Sequence, residues 1–220
     1  MSFNNVTFIL HKPQLSENIG ACARAIKNFG FNKLSLVSPK LGWPNTKARM
    51  TSVGAYDVIK KTKIFDHTKE AIKDFDIIIS TTARRRDINK KHISISEFSK
   101  IIFTHRKNKV GIIFGPESSG LSNDDLAYSN YVLQIPSVSS FSSINISHAV
   151  ILICFEISKV LNLKKYTNSS KKIDIASKKN LNGLIQHMID LLTKKDFFNP
   201  PEKKQSMELN IKNLFHRFQP

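Results

Sequence analysis

Three short segments of the chain carry residues whose types and spacing suit ligand binding and catalysis. They are residues 18–30 (NIGACARAIKNFG), 115–121 (GPESSGL) and 135–149 (IPSVSSFSSINISHA). Gly115 and Gly120 allow the backbone to approach a ligand closely, and Glu117 adds a charged acceptor between them. Neither the dinucleotide loop GxGxxG nor the lysine-bearing loop GxxxxGK[ST] occurs, so a cofactor must be held in another way.

Short apolar runs predict the strands that position these segments. The runs are Val6–Leu10, Leu34–Val37, Ile77–Ser80, Val110–Phe114 and Tyr131–Ile135, with Lys63–Phe65 as a further short strand. Their alternation with helical stretches predicts an α/β fold, a parallel sheet with helices on both faces. Ligands of open α/β sheets gather at the carboxyl ends of the strands. The loops at residues 80–86, 115–121 and 135–145 are therefore expected to meet at one edge.

Two amphipathic helices are predicted to carry the first and third segments. Ser16 is expected to cap the first helix and Gly30 to end it. The apolar stripe of that helix comprises Ile19, Cys22, Ala23, Ile26 and Phe29. At about 100° per residue, Arg24 lies roughly 160° from the centre of the stripe and points away from the core. Taken alone, it would be interpreted as an exposed arginine without a particular partner.

The second helix runs from Asn145 to Val160, with apolar residues Ile146, Ala149, Val150, Ile153, Ile157 and Val160. Composition then divides the chain into a main domain (1–160), a basic polar linker (161–178) and a helical extension (179–220). The extension is predicted as a hairpin around Pro200–Pro201, with apolar faces Leu181, Leu184, Ile185, Met188, Leu191 and Leu192, then Met207, Ile211, Leu214, Phe215 and Phe218. Either it binds a polyanion through its lysines or it packs for stability.

Charge and cysteine content narrow the class of protein. Thirty-four basic against seventeen acidic residues give a net charge of +17, which favours a polyanion such as nucleic acid, although a lysine-rich soluble surface would give the same balance. Cys22 and Cys154 form no CxxC pattern, so we expect neither a disulfide nor a zinc site, and a reducing cytoplasm. The seven histidines are scattered, so no metal site is predicted. Neither secretion nor membrane spanning is expected.

Together, the three segments resemble the SPOUT superfamily of RNA methyltransferases, specifically the TrmJ-like branch of its TrmH/SpoU family of ribose 2'-O-methyltransferases. The resemblance implies a C-terminal trefoil knot, S-adenosylmethionine as cofactor, and a homodimer that binds RNA across both subunits. It further implies tRNA as the substrate, methylated on a cytidine or uridine at nucleotide 32 of the anticodon loop, with rRNA as the nearest rival. A non-catalytic RNA-binding protein and a base methyltransferase are the alternatives. Phe141 replaces a tyrosine common in TrmJ-like relatives, which leaves the choice of base open.

The resemblance also assigns roles to single residues. Asn18, Arg24, Glu117, Ser143 and Asn145 match catalytic positions, where Arg24 would hold an RNA phosphate and stabilise a developing alkoxide, since a guanidinium keeps its proton. Arg84, Arg85 and Arg86 match phosphate contacts, or form a solvated loop. The serines and asparagine at 142–145 also suit helix capping. The residues matching cofactor contacts are Thr81, Thr82, Ala83, Gly115, Glu117, Gly120, Ile135, Ser142, Ser143 and Ile144.

Overall fold

The computed structural model describes residues 5–83, 89–162 and 175–218, and side chains to Val160 and Arg217 at the last two boundaries. In these ranges seven strands form one sheet in which every paired neighbour is parallel, in the order β3-β2-β1-β6-β4-β7-β5. The strands are β1 (Val6–His11), β2 (Leu34–Val37), β3 (Lys63–Phe65), β4 (Ile77–Thr82), β5 (Lys91–Ile93), β6 (Val110–Phe114) and β7 (Tyr131–Gln134). The predicted parallel α/β sheet is confirmed, and β5 is the strand that the apolar runs missed.

Helices cover both faces of this sheet. They are α1 (Ser16–Asn28), α2 (Thr46–Thr51), α3 (Tyr56–Lys60), α4 (Thr68–Ile72), α5 (Ile95–Thr104), α6 (Asn123–Ala127), α7 (Ile146–Asn162), α8 (Lys178–Lys194) and α9 (Lys204–Phe218). One face packs against α1, α5 and α7 in the larger core. The other face packs against α4 and α6 in a smaller core. The six residues of β1 are all buried, as expected for a central strand between two helical layers.

Helix α1 ends as predicted but begins differently. Gly30 has φ 78°, and the N–H groups of Gly30 and Phe31 donate to the carbonyls of Lys27 and Ile26 at 3.0 and 3.1 Å, which is a Schellman cap. The prediction that Ser16 caps the helix is wrong. The helix begins at Ser16 itself after Leu15, so the Ser16 hydroxyl points inward, where it has no hydrogen-bond partner among the described residues.

The predicted stripe of α7 is buried from Ile146 to Ile157. The hairpin of α8 and α9 is also present, but Leu184, Leu191 and Leu214 are exposed rather than part of the predicted apolar faces. Helix α8 instead buries Leu181, Ile185 and Ile189, a narrower stripe, because a single neighbouring helix covers one side of it. Most of the predicted linker (163–174) and the Phe218 side chain lie outside the described residues. The division into domains and the knot stay predictions.

A buried polar cluster docks the hairpin onto the sheet domain. His216, which is 0% exposed, lies 3.4 Å from Lys178 Nζ through Nδ1 and 3.0 Å from Asn182 Oδ1 through Nε2. Nearby, Lys90 Nζ donates to the carbonyls of Ala127 and Ser129. Burial lowers the pKa of Lys90 and of Lys178 to about 7, and that of His216 to about 2. The hairpin is thus held through basic groups whose charged forms are disfavoured by burial.

The described residues offer neither a membrane span nor a metal-binding cluster. No helix in these ranges has the length and apolar character that crossing a membrane requires. Likewise, no group of three or more His, Cys, Asp or Glu side chains in the described part of the chain is arranged to hold a metal ion.

Candidate functional site

A cleft opens at the carboxyl edge of the sheet, where the loops after β4, β6 and β7 converge. Its lining consists of Thr81, Thr82, Ala83, Phe114, Gly115, Pro116, Glu117, Ser118, Ser119, Gly120, Ile135, Ser142, Ser143, Ile144, Ile146 and Ala149. Every residue that the sequence suggested for the cofactor is therefore in this cleft. The lining residues that were not suggested lie within the motifs, except for Phe114, which directly precedes the second motif; the others are Pro116, Ser118, Ser119, Ile146 and Ala149.

The enclosed part of the cleft measures about 130 Å³. Typical small-molecule pockets measure about 300–1,000 Å³. A ligand of cofactor size would therefore extend into the open mouth of the cleft, between the loops after β6 and β7.

The loop from Gly115 to Leu121 needs both of its glycines, for different reasons. A Cβ added at Gly115 would lie 2.5 Å from the backbone nitrogen of Leu121 and 2.7 Å from the carbonyl carbon of Gly120. Gly120 has open space around it but a φ of 68°, a conformation that side chains disfavour. The loop therefore folds back on itself, with the backbone of Gly120 and Leu121 packed against Gly115.

A chain of hydrogen bonds joins the three motifs. Asn18 Nδ2 donates to Glu117 Oε1 at 2.7 Å, and Asn145 Nδ2 donates to Asn18 Oδ1 at 3.2 Å. Asn145 Oδ1 in turn accepts from the backbone N–H of Ser147 at 2.9 Å, so this asparagine also caps α7. The carboxylate of Glu117 thereby fixes helix α1 against the cleft, and both interpretations of Asn145, catalytic position and cap, fit its place.

Gln14 belongs to the same network and was missed from the sequence. Its backbone N–H donates to Glu117 Oε2 at 3.2 Å, and its Nε2 donates to Ser118 Oγ at 2.6 Å. Gln14 follows the carboxyl end of β1, the strand that pairs with β6. The rule that ligands gather at strand ends would have found it, had it been applied to β1 as well.

Further hydrogen bonds hold the other two walls of the cleft. Thr81 Oγ1 donates to the carbonyl of Ile113 at 3.1 Å, which ties the end of β4 to β6. Ser137 Oγ donates to the carbonyl of Ser142 at 3.2 Å and closes the loop after β7. Phe141 is 79% exposed on this loop, beside the cleft mouth. An aromatic ring left in solvent there is free to contact a second molecule.

Arg24 lies outside the cleft of its own chain. It is exposed on α1, six residues beyond Asn18 and therefore about 9 Å further along the helix axis. The structure thus joins four of the five predicted catalytic residues at or beside the cleft and leaves Arg24 apart. Arg84, Arg85 and Arg86 lie outside the described residues. Burial raises the pKa of both thiols, Cys22 and Cys154, so they are unreactive core residues.

A parallel sheet with helices on both faces and a cleft at its carboxyl edge defines the class: an α/β domain with a candidate ligand site where the strands end. Within that class, the chain belongs to the SpoU rRNA Methylase family, whose model matches residues 5–155. The resemblance seen in the three motifs is thereby confirmed.

Individual relatives match almost the whole chain. A protein named tRNA (cytidine-2'-O-)-methyltransferase TrmJ from Methanocaldococcus jannaschii is 33% identical, covering 96% of this chain and 91% of the relative. A protein named tRNA (cytidine/uridine-2'-O-)-methyltransferase TrmJ from Pectobacterium atrosepticum is 28% identical, covering 99% and 90%. The crystal structure of TrmJ from Z. mobilis ZM4 superimposes with a TM-score of 0.88 at 33% identity, covering 97% of this chain and 91% of that one.

Proposed function

We propose that this protein is an S-adenosylmethionine-dependent 2'-O-ribose methyltransferase acting on tRNA, with a pyrimidine at position 32 of the anticodon loop as the target. The observation that carries the proposal is the cleft, in which residues from three separate strand ends assemble around one space. The near full-length match to relatives named tRNA 2'-O-methyltransferases supports the same conclusion. A cytoplasmic tRNA-modifying enzyme also agrees with the net charge of +17.

The lining of the cleft suits S-adenosylmethionine. The turn at Gly115, where a Cβ would collide with backbone, gives a close-packed cradle of main-chain donors and acceptors. Ile135 and Ile144 add apolar surface for an adenine ring, and Thr81 and Ser142 add hydroxyl groups. A family member that shares the fold, AviRb from Streptomyces viridochromogenes, has been solved with this cofactor at 17% identity and a TM-score of 0.59. Its sulfonium would supply the electrophilic methyl group.

The chain's own residues would then position the ribose. Glu117 holds Asn18, and Asn18 holds Asn145, at the rim of the cleft. Arg24 would clamp the RNA phosphate beside the target nucleotide and stabilise negative charge on the attacking oxygen, while its guanidinium stays protonated. The hydroxyl proton would leave to that phosphate or to water. Positioning of this kind can supply a large part of the rate acceleration.

A homodimer would bring Arg24 to a cleft. In the single chain Arg24 is exposed and apart, whereas α1, on which it lies, packs directly on α7. Helix α7 presents an exposed apolar face of Ile151, Leu152 and Phe155, which are 38%, 41% and 49% exposed. Pairing of two copies through this face would bury it and place Arg24 of one subunit near the cleft of its partner. Analytical ultracentrifugation tests the dimer, and Phe155→Glu should yield monomers without methylation.

The direct test incubates purified protein with labelled S-adenosylmethionine and either total tRNA or rRNA, followed by nucleoside analysis. We expect 2'-O-methylated pyrimidine from tRNA. Label found in rRNA alone would favour the rRNA enzyme, and label found in a base would favour a base methyltransferase. Absence of label from both RNAs would favour a non-catalytic binding protein. Arg24→Ala should abolish turnover while cofactor binding and melting temperature stay unchanged, and near-normal turnover would contradict the role of Arg24.

A further inference from the structure

A groove of about 770 Å³ lies at the edge of the sheet opposite the cleft, beside the amino ends of β1, β2 and β3. It exists because the sheet face with the smaller core is thinly covered there. Helix α4 has only five residues, and the apolar packing ends at Phe65, Ala71 and Phe75, which form one wall. None of the residues that line this groove lines the cleft.

The groove is strongly basic. It is lined by one carboxylate, Asp74, and five cationic side chains, Lys33, Lys61, Lys63, Arg106 and Lys109. Within residues 5–83, 89–162 and 175–218, four of these five cations, all but Lys33, form no ion pair with a carboxylate. The cleft has the opposite charge character, since the charged side chain among its described lining residues is the carboxylate of Glu117. Because the cations of this concave site outnumber its one carboxylate, they concentrate a positive potential there.

The floor of the groove adds uncharged hydrogen-bonding groups. Thr7 and Ser35 are 8% and 5% exposed and lie on the same face of adjacent strands, because Ile9 pairs with Ser35 in the parallel register. Neither hydroxyl has a hydrogen bond within the described part of the chain. Lysine, arginine and threonine or serine hydroxyls are the groups with which proteins contact phosphate oxygens.

We propose that this basic groove binds the sugar-phosphate backbone of the RNA substrate at a point remote from the methylated nucleotide. The inference rests on the proposed function, since it names a second contact with the same RNA. Groove and cleft lie at opposite ends of β1, six residues and therefore roughly 20 Å apart. That distance exceeds the spacing of neighbouring phosphates, so the groove contacts another part of a folded RNA. A trinucleotide centred on the target, held in the cleft, is too short to reach it.

The test compares Lys61→Gln/Lys63→Gln with the matched control Lys100→Gln/Lys107→Gln. The control lysines are equally exposed but lie on α5 and the turn after it, outside the groove. Binding of full-length tRNA and of a trinucleotide centred on the target nucleotide is measured by fluorescence anisotropy without cofactor, between about 50 and 200 mM salt. A methylation assay at saturating tRNA is run in parallel.

For the groove variant we expect affinity for full-length tRNA to fall roughly tenfold at about 0.1 M salt, and the slope of log K against log salt to become shallower by about 1 to 2. Trinucleotide binding and the saturated rate should stay at the level of the control. Equal behaviour of the two variants, or an equal loss on the trinucleotide, would overturn the inference. Absence of methylation by the unmodified protein would defeat the proposed function and leave the binding comparison intact.

Discussion

Helices α1 and α2 approach each other closely at Gly20, so the direction in which Gly20→Ala changes the free energy of unfolding can be predicted. A Cβ added at Gly20 would lie less than 3.0 Å from Thr51 Oγ1, from the Ala48 carbonyl oxygen and from the Ser52 nitrogen. Two of these atoms are backbone and cannot rotate away. In Gly20→Ala the helices must therefore separate, at a cost of about 1–3 kcal/mol or more.

Alanine also favours a helix by about 1 kcal/mol over glycine, which offsets part of that cost. Because two of the three clashing atoms are backbone, the cost lies at the upper end of its range, about 2–3 kcal/mol, and the net expectation for Gly20→Ala is a loss of about 1–2 kcal/mol. For a chain of this size, that loss lowers the melting temperature by about 2–8 °C.

Gly183, in the middle of α8, is the matched control because nothing lies within 4 Å of a Cβ added there. Gly183→Ala should gain about 0.5–1 kcal/mol, which is a rise of about 1–4 °C. Both variants are measured by scanning calorimetry. Adding Thr51→Ala to Gly20→Ala should restore only part of the loss, since the backbone atoms of Ala48 and Ser52 remain. If Gly20→Ala raised the melting temperature as Gly183→Ala does, the close packing of α1 on α2 would be refuted.

Three further outcomes follow from the site and its supports. Glu117→Gln leaves one acceptor oxygen for two donors, Asn18 Nδ2 and the Gln14 backbone N–H, so one charge-assisted hydrogen bond worth about 1.5–3 kcal/mol is lost. We expect kcat/KM for methylation to fall about tenfold or more and the melting temperature to fall by several degrees; an unchanged kcat/KM would contradict the positioning role. Gly115→Ala should weaken cofactor binding in calorimetric titration, because the loop must move away from its added Cβ, and wild-type affinity would argue against the cradle. Between pH about 7 and 10.5 the unfolded chain binds more protons than the folded one at Lys178, so stability should rise with pH by up to about 1.4 kcal/mol per unit. In urea titrations, Lys178→Met should lose its share of this rise, and an identical pH slope would show that Lys178 is not buried.

Local sequence patterns were sufficient for most of the fold. The apolar runs gave six of the seven described strands, and β5 escaped because Lys91–Ile93 is short and carries one buried apolar residue. Gly30 was recognised as a helix end because its position after an apolar stripe implies a positive φ. Ser16 was misjudged as a cap, since the side chain's direction depends on the tertiary path of the preceding loop.

Recognition of the cleft residues depended on motif order, not on periodicity alone. By residue type, Ser142 and Ser143 are ordinary helix-capping residues. They were recognised as candidate site residues only because their segment occurs together with the other two. Exposure of Leu184, Leu191 and Leu214 could not be predicted, because the apolar pattern shows which side of a helix is hydrophobic and not how much of that side a neighbouring helix covers.

Strands, helices and the loops that follow the strands could be predicted from the sequence, because they depend on hydrophobic period and on residues close together in the chain. Which of these elements touch follows only from the folded arrangement. Asn18 meets Glu117 across 99 residues and Asn145 across 127, and the basic groove collects cations from the ends of different strands. Such contacts depend on strand order in the sheet, which is a property of the assembled chain and not of any segment.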